Sequence, residues 1–179
     1  DTMAATRRIS MDLRPLMLDD LGVNAAIEWL AHEYERRAGL QVSLRCDPLP
    51  DQLPQKVLTA LYRIVQEALT NIVRHANATR VAISIVHTGS SIELRVEDNG
   101  AGFPEQPLRV PGKSFGLIGI RERVLMLGGE LSLGNLPGGG ASMVVKLPMS
   151  GTDSTGEPLD SAESLLQLLA GAAPFDTLS

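Results

Sequence analysis

Gln66-Glu67-Ala68-Leu69-Thr70-Asn71-Ile72-Val73-Arg74-His75-Ala76 closes the strongest helical pattern in the chain. Val57, Leu58, Leu61, Ile64, Val65, Ala68, Leu69 and Ile72 return at helical spacing and form one broad apolar face, which predicts a long helix over about 54–75. Beside that face Glu67, Asn71 and His75 recur every four residues. At ~100° per residue they form a slowly drifting polar stripe that can reach one pocket together. An Asn carbonyl is a neutral oxygen ligand suited to Mg²⁺, which keeps water and nucleotide phosphates for the rest of its shell, and a Glu one turn earlier can accept a proton or orient water. Taken alone, the stripe reads more readily as a solvated helix face with an i,i+4 polar pair.

Downstream, 80–86 and 92–97 alternate like strands around Thr88-Gly89-Ser90-Ser91 and are expected to pair as a hairpin. Asp98 ends the second strand and opens Asp98-Asn99-Gly100-Ala101-Gly102-Phe103, whose glycines permit positive φ and close approach of a ligand. A carboxylate held there can accept the exocyclic amine of adenine, although the same residues also make a plain turn. The loop over 100–114 leads through Gly112-Lys113-Ser114-Phe115-Gly116-Leu117-Ile118-Gly119 into a helix expected over 117–127. Backbone N–H groups at a helix N-terminus suit phosphate, and Lys113 adds charge. The spacing is neither a Walker A loop nor a dinucleotide fingerprint. Gly128-Gly129 stops that helix, and a second hairpin, 130–134 with 142–147, turns through Pro137-Gly138-Gly139-Gly140. Helices mixed with hairpins indicate an α+β fold rather than a doubly wound sheet.

Upstream, 7–18 reads as the end of a helix broken near Pro15, followed by a hinge over 15–22 and an amphipathic helix over 23–38 with Gly39 as its cap. Trp29 and Tyr34 on that helix are expected to pack, a short strand follows at 41–44, and 48–54 is loop. After Pro148 the composition is that of a linker, and 162–170 holds a candidate short helix in an otherwise flexible tail. The 179 residues, 44% hydrophobic, suffice for one ordinary domain with appendages. A net charge of −5 and 3% aromatic residues exclude a broad nucleic-acid surface. The single cysteine, Cys46, cannot close an internal disulfide and reads as a packing residue in a reducing compartment. No apolar run approaches the ~20 residues needed to cross a bilayer. A start at Asp1 directly before a helical pattern is expected of a fragment.

Each of the three elements is weak singly; their order is specific. Residues 66–76, then Asp98-x-Gly100-x-Gly102, then Gly116-Leu117-x-Gly119-Ile120-Arg121-Glu122-Arg123 resemble the catalytic domain of sensor histidine kinases. The likeness is greatest to the nitrate/nitrite-sensor and DesK-like subfamily, whose upstream Asp-Leu-Arg-Pro-x-x-Leu-Asp-Asp-Leu-Gly matches Asp12 to Gly22, and it covers about 7–148. The resemblance implies a two-layer α/β sandwich of Bergerat type, with a mixed, mostly antiparallel sheet covered on one face by three helices. It implies domains at 1–18 (end of a dimerisation and phosphoacceptor hairpin), 19–149 (ATP-binding) and 150–179 (tail).

Carried over by position, the resemblance makes Asn71 the Mg²⁺ ligand, has Glu67 assist phosphoryl transfer, and puts Arg74 or His75 near the phosphates. Asp98 takes the adenine amine, and Gly100 and Gly102 shape the pocket. Phe103 to Phe115, with Lys113 and Ser114, is a lid closed by Gly116, Leu117 and Gly119. Where the family often carries Thr after the last hairpin glycine, this chain has Ala141 and then Ser142, so an adenine-side contact would fall to Ser142. The implied reaction is transfer of the ATP γ-phosphoryl group to a histidine of its own dimerisation domain, within a homodimer, for relay to a response regulator. His32, His75 and His87 do not fit the acceptor context, so the acceptor is expected outside this chain and the chain alone is not expected to label itself. A cytoplasmic domain follows, with a membrane anchor in the full-length protein left open. The alternatives are a serine kinase or ATPase of anti-sigma type on the same fold, and a nucleotide-binding regulatory module without catalysis. Arg121-Glu122-Arg123 reads as a solvated helix face.

Overall fold

The computed structural model describes residues 14–109 and 115–149. The expectations for 1–13, for Lys113 and Ser114, and for the helix at 162–170 lie outside the described residues.

Helix α1 spans Arg14–Ala38 and is interrupted at Gly22, whose φ of 80° and ψ of 167° are not helical. The break falls at Gly22, inside the hinge expected over 15–22, while Pro15 lies at the start of the described helix. Strand β1 is Gln41–Cys46. Helix α2, Gln55–Asn71, runs directly into a π-helical turn, Ile72–Ala76, ended by Asn77 in the left-handed region at φ 49°. Strands β2 (Arg80–Thr88) and β3 (Ser91–Asp98) pair from Thr88↔Ser91 to Val81↔Asp98, so a two-residue turn with Gly89 at φ 57° joins them. A 3₁₀ turn at Pro107–Arg109 is followed by α3, Phe115–Met126, and then by β4, Glu130–Asn135, and β5, Ala141–Pro148.

The sheet order is β1-β2-β3-β5-β4, with β1 parallel to β2 and every other pair antiparallel. Parallel neighbours need a crossover, and α2 is carried by that connection. Alternate strand residues point one way: Val81, Ile83 and Ile85, Ile92, Leu94 and Val96, Met143, Val145 and Leu147 are all buried. They form one core with Ile27 of α1, Leu61, Ile64, Val65 and Leu69 of α2, and Ile120 and Val124 of α3. The other sheet face is polar and carries Arg95 between Glu93 at 2.9 Å and Glu97 at 3.5 Å, partly exposed pairs that solvent screens. This is the two-layer α+β sandwich with three helices on one face.

Cys46 lies half-buried at the end of β1, and burial, reinforced by Glu28 and Asp47, pushes its thiol up to about 11. It packs and is not a nucleophile at neutral pH. Leu61, with no exposed surface, and Leu21, 63% exposed, make a direct test of which helical face holds the domain together. Leu61→Ala is expected to lower the unfolding free energy by about 2–5 kcal/mol and Leu21→Ala by less than ~0.5, read from urea denaturation midpoints at constant m.

Candidate functional site

The last turns of α2 meet the first turn of α3 at a glycine. A Cβ on Gly116 would overlap Glu67 Oε1 and stand 2.9 Å from Asn71 Oδ1 and 3.0 Å from Asn71 Nδ2, so only glycine admits this contact. Asn71 Nδ2 is buried there with no hydrogen-bond partner among the described residues. An unsatisfied buried amide is uncommon and points to a missing polar partner. The π turn continues the helix beyond Asn71 and leaves His75 at the rim beside it. Arg74 does not join them. Successive helical residues diverge by ~100°, and Arg74 lines a separate cleft of about 410 Å³ between α1 and α2 with Trp29 and Tyr34. There the Tyr34 hydroxyl meets Thr70 Oγ1 at 2.7 Å, and burial is the main cause that raises the Tyr34 phenol above its ordinary value. Tyr34 is partly buried as expected, whereas Trp29 is 37% exposed.

At the opposite wall Asp98 ends β3 at only 6% exposure. Its Oδ1 accepts the Gly100 N–H at 2.7 Å and, more weakly, the Ala141 N–H at 3.4 Å. Such a bond from a side chain to the backbone two residues on is the Asx turn that Asp-x-Gly favours. Asn99 beside it accepts the Thr79 and Arg80 N–H groups, each at 2.9 Å, and donates to Thr79 Oγ1 at 2.9 Å. The Ala101 N–H donates to the Ala76 carbonyl at 2.8 Å, so the loop is fastened to the end of the π turn. Gly100 passes so close to that carbonyl that a Cβ would overlap it.

Between these walls lies a cavity of about 430 Å³. Ile72, Val96, Leu117 and Met143 give it apolar sides, and Asn71, His75 and Asp98 supply polar groups. Gly102 and Phe103 line its mouth. Its size and its few polar groups on apolar walls are those of a small-molecule site. Of the remaining sequence-predicted residues, Glu67 and Gly116 stand behind Asn71, and Gly100 backs Asp98. Gly119 has nothing within 4 Å of a Cβ position, and its carbonyl accepts from Arg123 at 3.3 Å. Ser142 points away: β5 alternates, Ala141 and Met143 face the cavity, and the Ser142 hydroxyl donates to Glu97 on the other sheet face at 3.1 Å. Sequence reasoning therefore overlooked strand parity at Ser142, the bracing by Asn99, and Asn135, whose side chain grips Phe103.

A sandwich that leaves such a slot between its longest helix and the end of a β-hairpin, with a buried carboxylate and a helix N-terminus in its walls, has the architecture of a small-molecule-binding domain. Residues 56–151 match the histidine kinase-, DNA gyrase B- and HSP90-like ATPase family, and the chain belongs to it. Among curated relatives it is 36% identical over 149 residues to the signal transduction histidine-protein kinase/phosphatase DegS of Brevibacillus brevis, covering 83% of this chain and 38% of that protein. It is 37% identical over 145 residues to the sensor histidine kinase MctS of Rhizobium johnstonii, covering 80% and 31%. The chain thus spans well under half the length of these relatives. Among solved structures, the ATP binding domain of PrrB from Mycobacterium tuberculosis superposes with a TM-score of 0.54 at 33% identity, covering 70% of this chain and 92% of that one. The histidine kinase domain of the Erythrobacter litoralis EL346 blue-light activated kinase gives 0.57 at 25%, covering 72% and 61%.

The two helical glycines of α3 separate packing from propensity. Gly119→Ala meets open space and is expected to raise stability by up to ~1 kcal/mol, because glycine is the poorer helix former. Gly116→Ala is expected to gain less than Gly119→Ala, because its methyl must displace the ends of the Glu67 and Asn71 side chains and so offsets the propensity gain. Chemical denaturation of both variants measures the difference.

Proposed function

We propose that this chain is the ATP-binding catalytic domain of a two-component sensor histidine kinase, which transfers the γ-phosphoryl group of ATP to a histidine on its dimerisation domain for relay to a response regulator. The observation that carries the reading is the cavity itself: a buried carboxylate at one wall, an unsatisfied Asn71 amide at the other, and apolar sides between. The sensor-kinase names of the relatives favour this over a serine kinase of anti-sigma type. The domain would occupy 19–149, with 1–18 as the end of the dimerisation hairpin and 150–179 as a tail. No helix among the described residues is long and apolar enough to cross a membrane; a cytoplasmic placement is part of the proposal.

In this reading adenine lies between Ile72 and Met143 with its amine donating to Asp98, whose Oδ1 is held by the Gly100 N–H. That bond fixes the carboxylate before ligand arrives, so recognition costs little side-chain entropy. The triphosphate runs towards Asn71 and the first turn of α3, where backbone N–H groups suit anions. Glu67, held against Gly116, orients the attacking group, and His75 contributes a donor at the rim. Gly100 and Gly102 admit the ligand, Phe103 and Leu117 close its apolar side, and Lys113 and Ser114 belong to the same segment. Mg²⁺ takes few protein ligands and keeps water and phosphate oxygens for the rest of its shell, so one neutral side-chain oxygen suffices to place it. Asn71 lines the cavity and would offer its side-chain carbonyl oxygen to that ion. Mg²⁺ held there would neutralise charge on the phosphates.

Asp98→Asn is expected to weaken ATP binding by roughly ten- to a hundredfold, the loss of one hydrogen bond to a charged acceptor. Asn71→Asp, which sets a second carboxylate one turn from Glu67, is expected to weaken Mg·ATP binding. Isothermal calorimetry giving unchanged affinity in both variants would sink the site assignment. With γ-labelled ATP the chain alone is expected to acquire no acid-labile label; label on His32, His75 or His87 would overturn the view that the acceptor lies elsewhere.

A further inference from the structure

Asn135, the last residue of β4, lies outside the cavity, yet its side chain makes both hydrogen bonds available on one cavity-lining residue. Its Oδ1 accepts the Phe103 N–H at 2.7 Å, and its Nδ2 donates to the Phe103 carbonyl at 2.9 Å. This pair mimics one rung of a β-ladder between the tip of the β4–β5 hairpin and the loop that follows Asp98. Gly102 is shaped for it: at φ 79° its Cβ position stands 2.8 Å from Asn135 Oδ1, so the amide reaches Phe103 only because residue 102 lacks a side chain. The hairpin is fixed to the same wall a second time, because a Cβ on Gly140 would overlap the Asp98 carbonyl and the Ala141 N–H reaches Asp98 Oδ1.

We propose that Asn135 is a positioning residue for nucleotide binding: by clamping the Phe103 backbone to the hairpin it holds Gly102 and Phe103 in place at the cavity mouth. At Phe103, five residues after Asp98, the chain has left the sheet, and the Asn135 amide meets both the N–H and the carbonyl of that residue. Without them the mouth of the cavity must be ordered when ligand binds, and that cost appears as lost affinity. The inference rests on the nucleotide reading of the cavity.

The test compares Asn135→Ala, which removes both bonds, with Asn135→Asp, nearly the same size, which keeps the acceptor but sets an anionic oxygen against the Phe103 carbonyl. Mg·ATP affinity of the 179-residue chain is measured by calorimetry well below the melting temperature, alongside amide hydrogen exchange at Phe103. Both variants are expected to bind roughly five- to tenfold more weakly, the scale of one or two solvent-accessible hydrogen bonds, and Phe103 exchange in the alanine variant is expected to accelerate. Because Asn135 is exposed, both variants should fold, and a role confined to stability would shift the melting temperature while leaving affinity intact. Unchanged affinity in the alanine variant, or wild-type affinity in the aspartate variant, overturns the proposal. Failure of the unaltered chain to bind Mg·ATP overturns the nucleotide reading and this inference with it.

Discussion

A side chain between the first turn of α3 and the Glu67–Asn71 turn of α2 would displace the ends of Glu67 and Asn71, and the placement of those polar groups follows from that close contact. α2 is fixed on the sheet by Leu61, Ile64, Val65 and Leu69, and α3 by Ile120 and Val124. With both helices seated by their apolar faces, the polar edge of α2 is left facing the start of α3. Any side chain at 116 would part the helices or turn Glu67 and Asn71 away. Packing on the core side thus dictates chemistry on the cavity side, and glycine is used where the two demands meet.

The opposite wall is built by another kind of force. Asp98 and Asn99 sit at the strand end, where the ladder no longer satisfies the backbone, and their short side chains take over: Asp98 for Gly100 and Ala141, Asn99 for Thr79 and Arg80. Polar side chains that compete with regular structure inside a strand are favoured where one ends. The loop is thereby ordered as far as Ala101, whose N–H is taken by Ala76 at the end of the π turn. One wall is positioned by apolar burial and the other by hydrogen bonds, and the cavity is what remains between them.

How much of this was legible follows from how local each cause is. The α2 periodicity, the β2–β3 hairpin and the order of the three motifs depend on nearby residues, and they gave the α+β sandwich. The hinge expected over 15–22 is realised at Gly22, whose positive φ a glycine admits and a proline cannot. The π turn leaves no pattern in the sequence, because it adds a residue without altering which side chains are apolar. The four-residue spacing of Glu67, Asn71 and His75 picked out His75, which lines the cavity, whereas Arg74 entered only through the resemblance and lies in another cleft. Ser142 was one residue from the right place, and in a strand one residue is the difference between the two faces. Asn135 and Phe103 are 32 positions apart, and only the β4–β5 hairpin brings them together.

The site is also where the domain satisfies itself least. A buried Asn71 amide without a partner costs roughly 1–3 kcal/mol, and glycines at 100, 102 and 116 give up side-chain burial to keep space open. A fold optimised only for stability would fill these positions, as it has filled the core beneath them. Groups left unsatisfied in the folded chain can be satisfied by a ligand, and the free energy recovered then appears as affinity and as stabilisation of the bound state. The same deficit explains why Asp98 is braced from behind by the Gly100 N–H. An unpartnered group is useful to a ligand only if it cannot relax into a partnership of its own.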